Sequence, residues 1–176
     1  MTDVQEVIVA PRLGFGEVFD AHFDAVHGYL RRRVGDAAED LAAETFTRAF
    51  AAYPGFDSAR GDLRPWLLGI ATNLVHGHRR AEARRLRAYA REAGAAPPPP
   101  GALDVSARLD AAEQARRAAK AIARLAPRDR DALLLVAWAD LTYEEAAAAL
   151  GVPVGTVRSR LNRARTSVRA HLEEER

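Results

Sequence analysis

The stretch LTYEEAAAALGVPVGTVRSRLNRARTSVR, Leu141 to Arg169, writes two short helices separated by a tight turn. Thr142 and Glu145 stand at T-x-x-E spacing, a capping box that satisfies unpaired amide donors at a helix start. Ala146, Ala147, Ala148, Ala149 and Leu150 continue as strong helix formers, and Gly151 stops them because glycine tolerates the left-handed conformation. A second helix begins near Val154, where Val157, Leu161, Ala164 and Val168 form one apolar stripe. Ser159, Asn162, Arg163 and Thr166 face the other way, flanked by Arg158, Arg165 and Arg169. Val152 to Leu172 holds five arginines and no acid.

Such a helix suits the DNA major groove: arginine can meet phosphates or the guanine edge, and Asn162 can meet adenine. The small alanine side chains allow close packing of the first helix, and the glycine-containing turn fits helix-turn-helix geometry. A merely solvated arginine face is the plainer reading of an amphipathic helix. The capped first helix, the turn and the acid-free second helix occur together, which favours DNA recognition.

A chain of 176 residues holds one domain or two small ones. Its 48% hydrophobic fraction is rich in alanine, so each half can bury only a modest core. Formal net charge is +2, but acids gather from Asp36 to Glu44 and bases at Arg79–Arg91 and Arg158–Arg169, so local patches matter more than the total. The absence of cysteine excludes disulfides and thiolate metal sites. With neither a secretory leader nor a run of transmembrane length, a cytoplasmic location is expected.

Residues 1–12 read as a loose tail. An apolar stripe of Phe15, Val18, Phe19, Phe23, Val26, Tyr29, Leu30 and Val34 predicts the first helix, with Arg31–Arg33 favouring its negative end and Gly35 breaking it. Asp36 and Glu39 have capping spacing for a second helix, whose inner face carries Leu41, Thr45, Phe46, Ala49 and Phe50. Glu39, Asp40, Glu44 and Thr47 fall on its other faces. Turn chemistry fills Tyr53 to Gly61. A third helix is predicted from about Leu63 into the high eighties, with Pro65 in its first turn. It is apolar at first, through Trp66, Leu67, Ile70, Leu74 and Val75, and Trp66 is expected in the core. Beyond them it turns basic at Arg79, Arg80, Arg84, Arg85 and Arg87, as a nucleic-acid-facing extension would. His76 and His78 are two apart and point to different sides, so no metal site is expected.

Glu92 to Asp104 contains Gly94, Pro97–Pro100 and Gly101 and reads as a semi-extended spacer. Its 13 residues reach ~40 Å, at ~3.1 Å each, against ~34 Å for one turn of DNA. Two heads joined this way could touch one duplex more than a turn apart. Ser106 is placed to cap the next helix, with Leu109, Ala112, Ala119, Ile122 and Leu125 inward. Pro127 opens another, in which Leu133, Leu134, Val136, Ala137 and Trp138 are the expected core. The fold class is therefore all-α: two small helical domains, the second a four-helix domain ending in the helix-turn-helix.

Three stretches in order, AEDLAAETFTRAF, FDSARGDLRPWLLGIATNLVHGHRR and LAPRDRDALLLVAWADLTYEEAAAALGVPVGTVRSRLNRAR, resemble bacterial RNA polymerase sigma factors of the extracytoplasmic-function (ECF) group. The resemblance spans about Phe15 to Leu172. It implies a region 2-like domain over 13–91, a linker over 92–104 and a region 4-like domain over 105–172. By that resemblance Asp40 and Glu44 contact the clamp helices of the polymerase beta-prime subunit, although Ala43 stands where glutamine is common. The loop Phe56 to Asp62, with Phe56, Asp57, Ser58 and Arg60, matches the segment that captures an unpaired base of the −10 element. Asn73, Arg79 and Arg80 match the DNA-facing part of the third helix, while Gly77 replaces a larger polar residue. Thr156, Arg158, Ser159, Arg160, Asn162 and Arg163 match the helix that reads the −35 element, and Pro153 takes the place of a capping serine. If Arg163 meets a phosphate, its loss should weaken −35 binding and lower the salt slope by about one.

The implied function is promoter-directed initiation with core RNA polymerase, without catalysis or cofactor. The expected partners are polymerase, promoter DNA and an anti-sigma protein, with no further C-terminal domain for self-regulation. A free-standing helix-turn-helix regulator would explain the second half equally well, but neither the acidic helix, loop and basic helix of the first half nor the spacer.

Overall fold

The computed structural model describes residues 14–93 and 111–174, and for residues 60, 90–93 and 111–114 the backbone alone. Every regular element among them is helical. In the first unit α1 (Phe15–Val34), α2 (Ala38–Ala52) and α3 (Leu63–Ala93) pack on one another; the second unit comprises α4 (Ala111–Arg124), α5 (Pro127–Ala137), α6 (Tyr143–Leu150) and α7 (Val154–Glu174).

The first unit closes on the expected stripes. Val18, Val26, Tyr29 and Leu30 of α1 are buried with Ala38, Ala42, Thr45, Phe46 and Ala49 of α2 and Leu67, Leu68, Ala71 and Val75 of α3. Thr45 reconciles its hydroxyl with burial by donating to the Leu41 carbonyl at 2.6 Å. At the open end, Phe15 meets Phe46, Phe50 and Tyr53 edge to face, with ring centroids 5.2 to 6.5 Å apart. Phe50, expected inward, is exposed.

Two boundaries differ from the sequence reading. Gly35–Ala37 is a single 3-10 turn whose Gly35 carbonyl accepts from the Ala38 amide, and α2 begins directly from it with Ala37 at the N-cap. Asp36 therefore sits inside the turn and caps nothing, whereas Glu39 and Asp40 lie in the first turn of α2, where the helix dipole favours acids. At the other end α3 runs to Ala93, two residues into the expected spacer. The rest of the spacer, and Ser106 and Leu109 of the helix expected after it, lie outside the described residues, as does the N-terminal tail.

In the second unit the capping box forms as written. Thr142 Oγ1 accepts from the Glu145 amide at 3.2 Å and the Thr142 amide donates to Glu145 at 2.7 Å. Gly151, at φ 62°, ends α6 in the left-handed conformation. Val157, Leu161 and Ala164 point α7 inward, onto α5 and α6. Arg130 stitches the α4–α5 corner: its guanidinium donates to the carbonyls of Ile122, Ala123 and Leu125, satisfying orphan groups at the end of α4.

The sequence predicted two heads on a tether; the structure packs them together. α3 lies on α6 so closely that a Cβ added to Gly69 would sit 2.5 Å from the Ala149 carbonyl oxygen. Buried side chains of both units, from Val18 through Leu68 to Leu161, form one continuous cluster. The physical reason is the one that made each core look small: alone, each unit leaves apolar surface that the other covers.

Candidate nucleic-acid interface

α7 presents the residues expected to meet DNA. With Val157 and Leu161 buried, Arg158, Ser159, Asn162 and Arg163 are exposed, and Thr156 and Arg160 are half-buried at the helix edge. Ser159 donates to the Thr156 carbonyl at 2.9 Å, so its hydroxyl is held against the helix. Tyr143, Arg158, Asn162, Arg165, Thr166 and Arg169 line a shallow cleft between the start of α6 and α7. Arg165 reaches the Tyr143 hydroxyl at 3.4 Å.

Arg163 is not a free cation. It makes a forked pair with Asp129 in the first turn of α5, at 2.8 and 3.1 Å. Those bonds and the Asp129 charge raise its pKa. Its charge is locally compensated, so a phosphate would have to compete with a carboxylate.

The loop before α3 is built on aromatic contacts. Phe56 is half-buried, its ring 4.9 Å from Trp66 and nearly parallel to Tyr53 at 6.3 Å. Trp66 is thus half-buried, packed against the core as expected and also in contact with the loop. Asp57 accepts from the Ala59 amide at 3.0 Å and caps the short turn Ser58–Arg60, whose Arg60 side chain lies outside the described residues. Asn73 and Arg80 are exposed on α3, but Arg79 is turned inward and donates to the Arg33 carbonyl at 3.0 Å. On α2, Asp40 is exposed and Glu44 pairs with Arg48 one turn on, at 2.7 Å.

Between the units lies a polar cluster that the sequence reading missed. Arg33 and Asp131, each 3% exposed, bond at 2.6 Å from α1 to α5. Asp131 takes a second bond, 2.6 Å, from His76 of α3. Arg33 also donates to the Tyr29 hydroxyl at 2.5 Å, and Tyr29 meets Thr72 at 2.9 Å. Arg64 and Arg32 tie the first unit to the carbonyls of Ala139 and Trp138, at 2.7 and 3.4 Å. Burial pushes the Asp131 carboxyl upward, but the His76 bond and the Arg33 charge outweigh it and hold the acid below its ordinary value. Arg79 is drawn down to about 10 by burial and by the charges of Arg33 and Arg130. A signal was available: Asp131 shares a helix face with Leu134 and Leu135, and Arg33 one with Val26, Tyr29 and Leu30.

Two sigma-70 domain models match the chain: Sigma-70 region 2 over residues 18–85 and Sigma-70, region 4 over residues 115–168. Over 137 residues, 78% of this chain and 71% of the relative, it is 40% identical to the ECF RNA polymerase sigma factor SigC of Mycobacterium tuberculosis. This chain belongs to the ECF group of RNA polymerase sigma factors. It is also 36% identical, over 89% of its length and 60% of the relative's, to the ECF RNA polymerase sigma factor SigE of Mycolicibacterium smegmatis. Among solved structures it is similar to the sigma factor RpoE in complex with the anti-sigma factor NepR from Bartonella quintana, with TM-score 0.69, 26% identity, and coverage of 92% of this chain and 98% of that one. CnrH in complex with the cytosolic domain of CnrY gives TM-score 0.63 at 26% identity, covering 92% and 89%. As a sigma factor the protein directs RNA polymerase to promoters, and its class is not enzymatic. No helix among the described residues is long and apolar enough to cross a membrane.

The Asp131 shift sets a pH dependence. A carboxyl held lower in the folded state contributes stability above its ordinary value of 3.8, and that contribution is lost as pH falls through the folded-state value. Urea unfolding of wild type and Asp131→Asn should therefore differ at neutral pH, and the difference should shrink below about pH 4. A gap that does not change with pH would contradict the assignment.

Proposed function

We propose that this sigma factor grips promoter DNA at two places and polymerase at a third. The unit spanning 105–172 reads the −35 element through Thr156, Arg158, Ser159, Arg160, Asn162 and Arg163. The unit spanning 13–91 holds the −10 element through Phe56, Asp57, Ser58, Arg60, Asn73, Arg79 and Arg80, and the polymerase clamp helices through Asp40 and Glu44. The observation that carries the reading is the outer face of α7, free of acids up to Leu172, set on a capped helix-turn-helix in a chain that also matches region 2. That second match is what a free-standing regulator leaves unexplained.

The chemistry is binding alone. Contacts of α7 with base edges and phosphates fix register on duplex DNA. An extruded base can stack against the Tyr53–Phe56–Trp66 aromatic group, and each stacked base contributes about 1–3 kcal/mol against unstacking. Such contacts exist only with parted strands, so they favour melting. An anti-sigma protein is inferred as inhibitor, because RpoE, of similar fold, is bound to one. The cytoplasm, where core polymerase works, is the inferred location.

Co-migration of the purified chain with core polymerase, followed by run-off transcription from genomic promoter fragments, tests the reading. Chain-dependent, site-specific starts are expected; operator binding without any polymerase association would favour the regulator. Replacing Asp40 and Glu44 together by lysine should weaken polymerase association about tenfold or more, through like-charge contacts, with helicity unchanged. Unchanged co-migration would remove them from that role.

Asp129→Ala should release Arg163. DNA binding by this variant is expected to tighten and its salt slope to steepen by about one phosphate contact, measured by fluorescence anisotropy from low to moderate salt. An unchanged slope would show that Arg163 does not face DNA.

A further inference from the structure

We propose that the junction carries a ligand site of its own: Arg79 of α3 and Arg130 of α5 bind a small phosphate-bearing anion at its rim, beside the Arg33–Asp131 pair. The site is independent of the promoter reading and takes a free anion such as pyrophosphate, not a nucleic acid. Three observations carry it.

The first is a surplus of positive charge. Arg33, Arg79 and Arg130 gather on Asp131, with Glu82 acting on Arg79 from the rim. Glu82 is shared with His78, which it meets at 3.5 Å. Three guanidiniums therefore stand against two carboxylates, one of them divided, and His76 adds charge whenever it is protonated. Burial, then repulsion by Arg33 and Arg130, draws Arg79 down to about 10, and burial with repulsion by Arg33 lowers Arg130 as well. An anion held by both arginines relieves that repulsion.

The second is a shortage of acceptors. Both oxygens of Asp131 are taken, one by Arg33 and one by His76. Arg79 uses one terminal nitrogen on the Arg33 carbonyl, and its Nε and second terminal nitrogen have no acceptor among the described residues. Arg130 bonds the carbonyls of Ile122, Ala123 and Leu125 through Nε and one terminal nitrogen, which leaves the other. Behind them, the buried Nε of Arg33 makes no hydrogen bond among the described residues.

The third is access. Arg79 and Arg130 are half-buried, and His76 keeps 34% of its side chain exposed. A small solute can reach the rim, and its partly desolvated surroundings strengthen charge-assisted bonds. The guanidinium fork matches two phosphate oxygens at once, which chloride cannot offer. Because the two arginines belong to different units, an anion bound to both bridges α3 and α5.

Titration calorimetry of the full chain with inorganic pyrophosphate, at an ionic strength held constant with chloride, reads the site. Wild type should bind saturably, one anion per chain. Arg79→Gln and Arg130→Gln should each weaken binding about tenfold or more at unchanged helicity, since each removes a charge-assisted contact. Glu82→Gln, at an exposed position, should tighten binding about twofold, because it removes an acid that competes for Arg79. Arg79 is also matched to promoter contact, so a duplex arm separates the two sources of phosphate: Arg130→Gln should leave affinity for a mixed-sequence DNA duplex unchanged.

No saturable binding in wild type, unchanged pyrophosphate affinity in Arg79→Gln, or no tightening in Glu82→Gln would each overturn the site. Equal losses of pyrophosphate and duplex affinity in Arg130→Gln would overturn it too, by assigning the rim to the DNA backbone. Should Arg130→Gln lose helicity through its bonds at the α4–α5 corner, the opposite signs expected of Arg79→Gln and Glu82→Gln decide the matter.

Discussion

The buried pair of Arg33 and Asp131 is the constraint on which the arrangement of this molecule depends. Two charges taken out of water lose several kcal/mol of solvation each, and their mutual attraction regains it only with good geometry and further hydrogen bonds. Here Tyr29 and His76 supply those bonds, one on each side of the pair. Such a pair adds little net stability over an apolar contact of equal shape, but breaking it by removing one partner is costly, about 3–5 kcal/mol in buried settings. Its effect is to specify one geometry: α5 must meet α1 and α3 so that a single carboxylate touches an arginine and a histidine from two helices. The Gly69–Ala149 approach fixes the same junction sterically.

That junction also orders the functional faces. The α2 acids proposed to meet polymerase and the arginine face of α7 lie outside it and are exposed in the packed state. Arg79 lies within it.

The fold was legible in the sequence wherever periodicity and capping chemistry act locally. The Thr142–Glu145 box, Gly151, Pro127 and the stripe Val157–Leu161–Ala164 each determine structure within a few residues, and they form as read. The start of α2 departs from its local pattern: the D-x-x-E spacing suits a cap, but the chain after Gly35 makes one tight turn and continues. Long-range features were harder. Arg33 ends a run of three arginines that suits a helix C-terminus, and only its register with Tyr29 and Leu30 distinguishes it from its neighbours. Asp131 closes the charged run that begins at Arg128 and so resembles a solvated acid, and Asp129, whose pairing with Arg163 changes the expected salt dependence, resembles an ordinary first-turn acid. What pairs with what across 98 residues of chain is a property of packing, which no local pattern records.

A double-mutant cycle between Arg33→Met and Asp131→Leu measures the central claim most directly, with stability followed by denaturant unfolding at neutral pH. The expected result is strong non-additivity: each single change leaves a buried charge unpaired, whereas the double variant recovers most of the loss, with a coupling of roughly 2–3 kcal/mol. Additive losses would contradict it, because they would mean that the two halves are held together by something other than this pair.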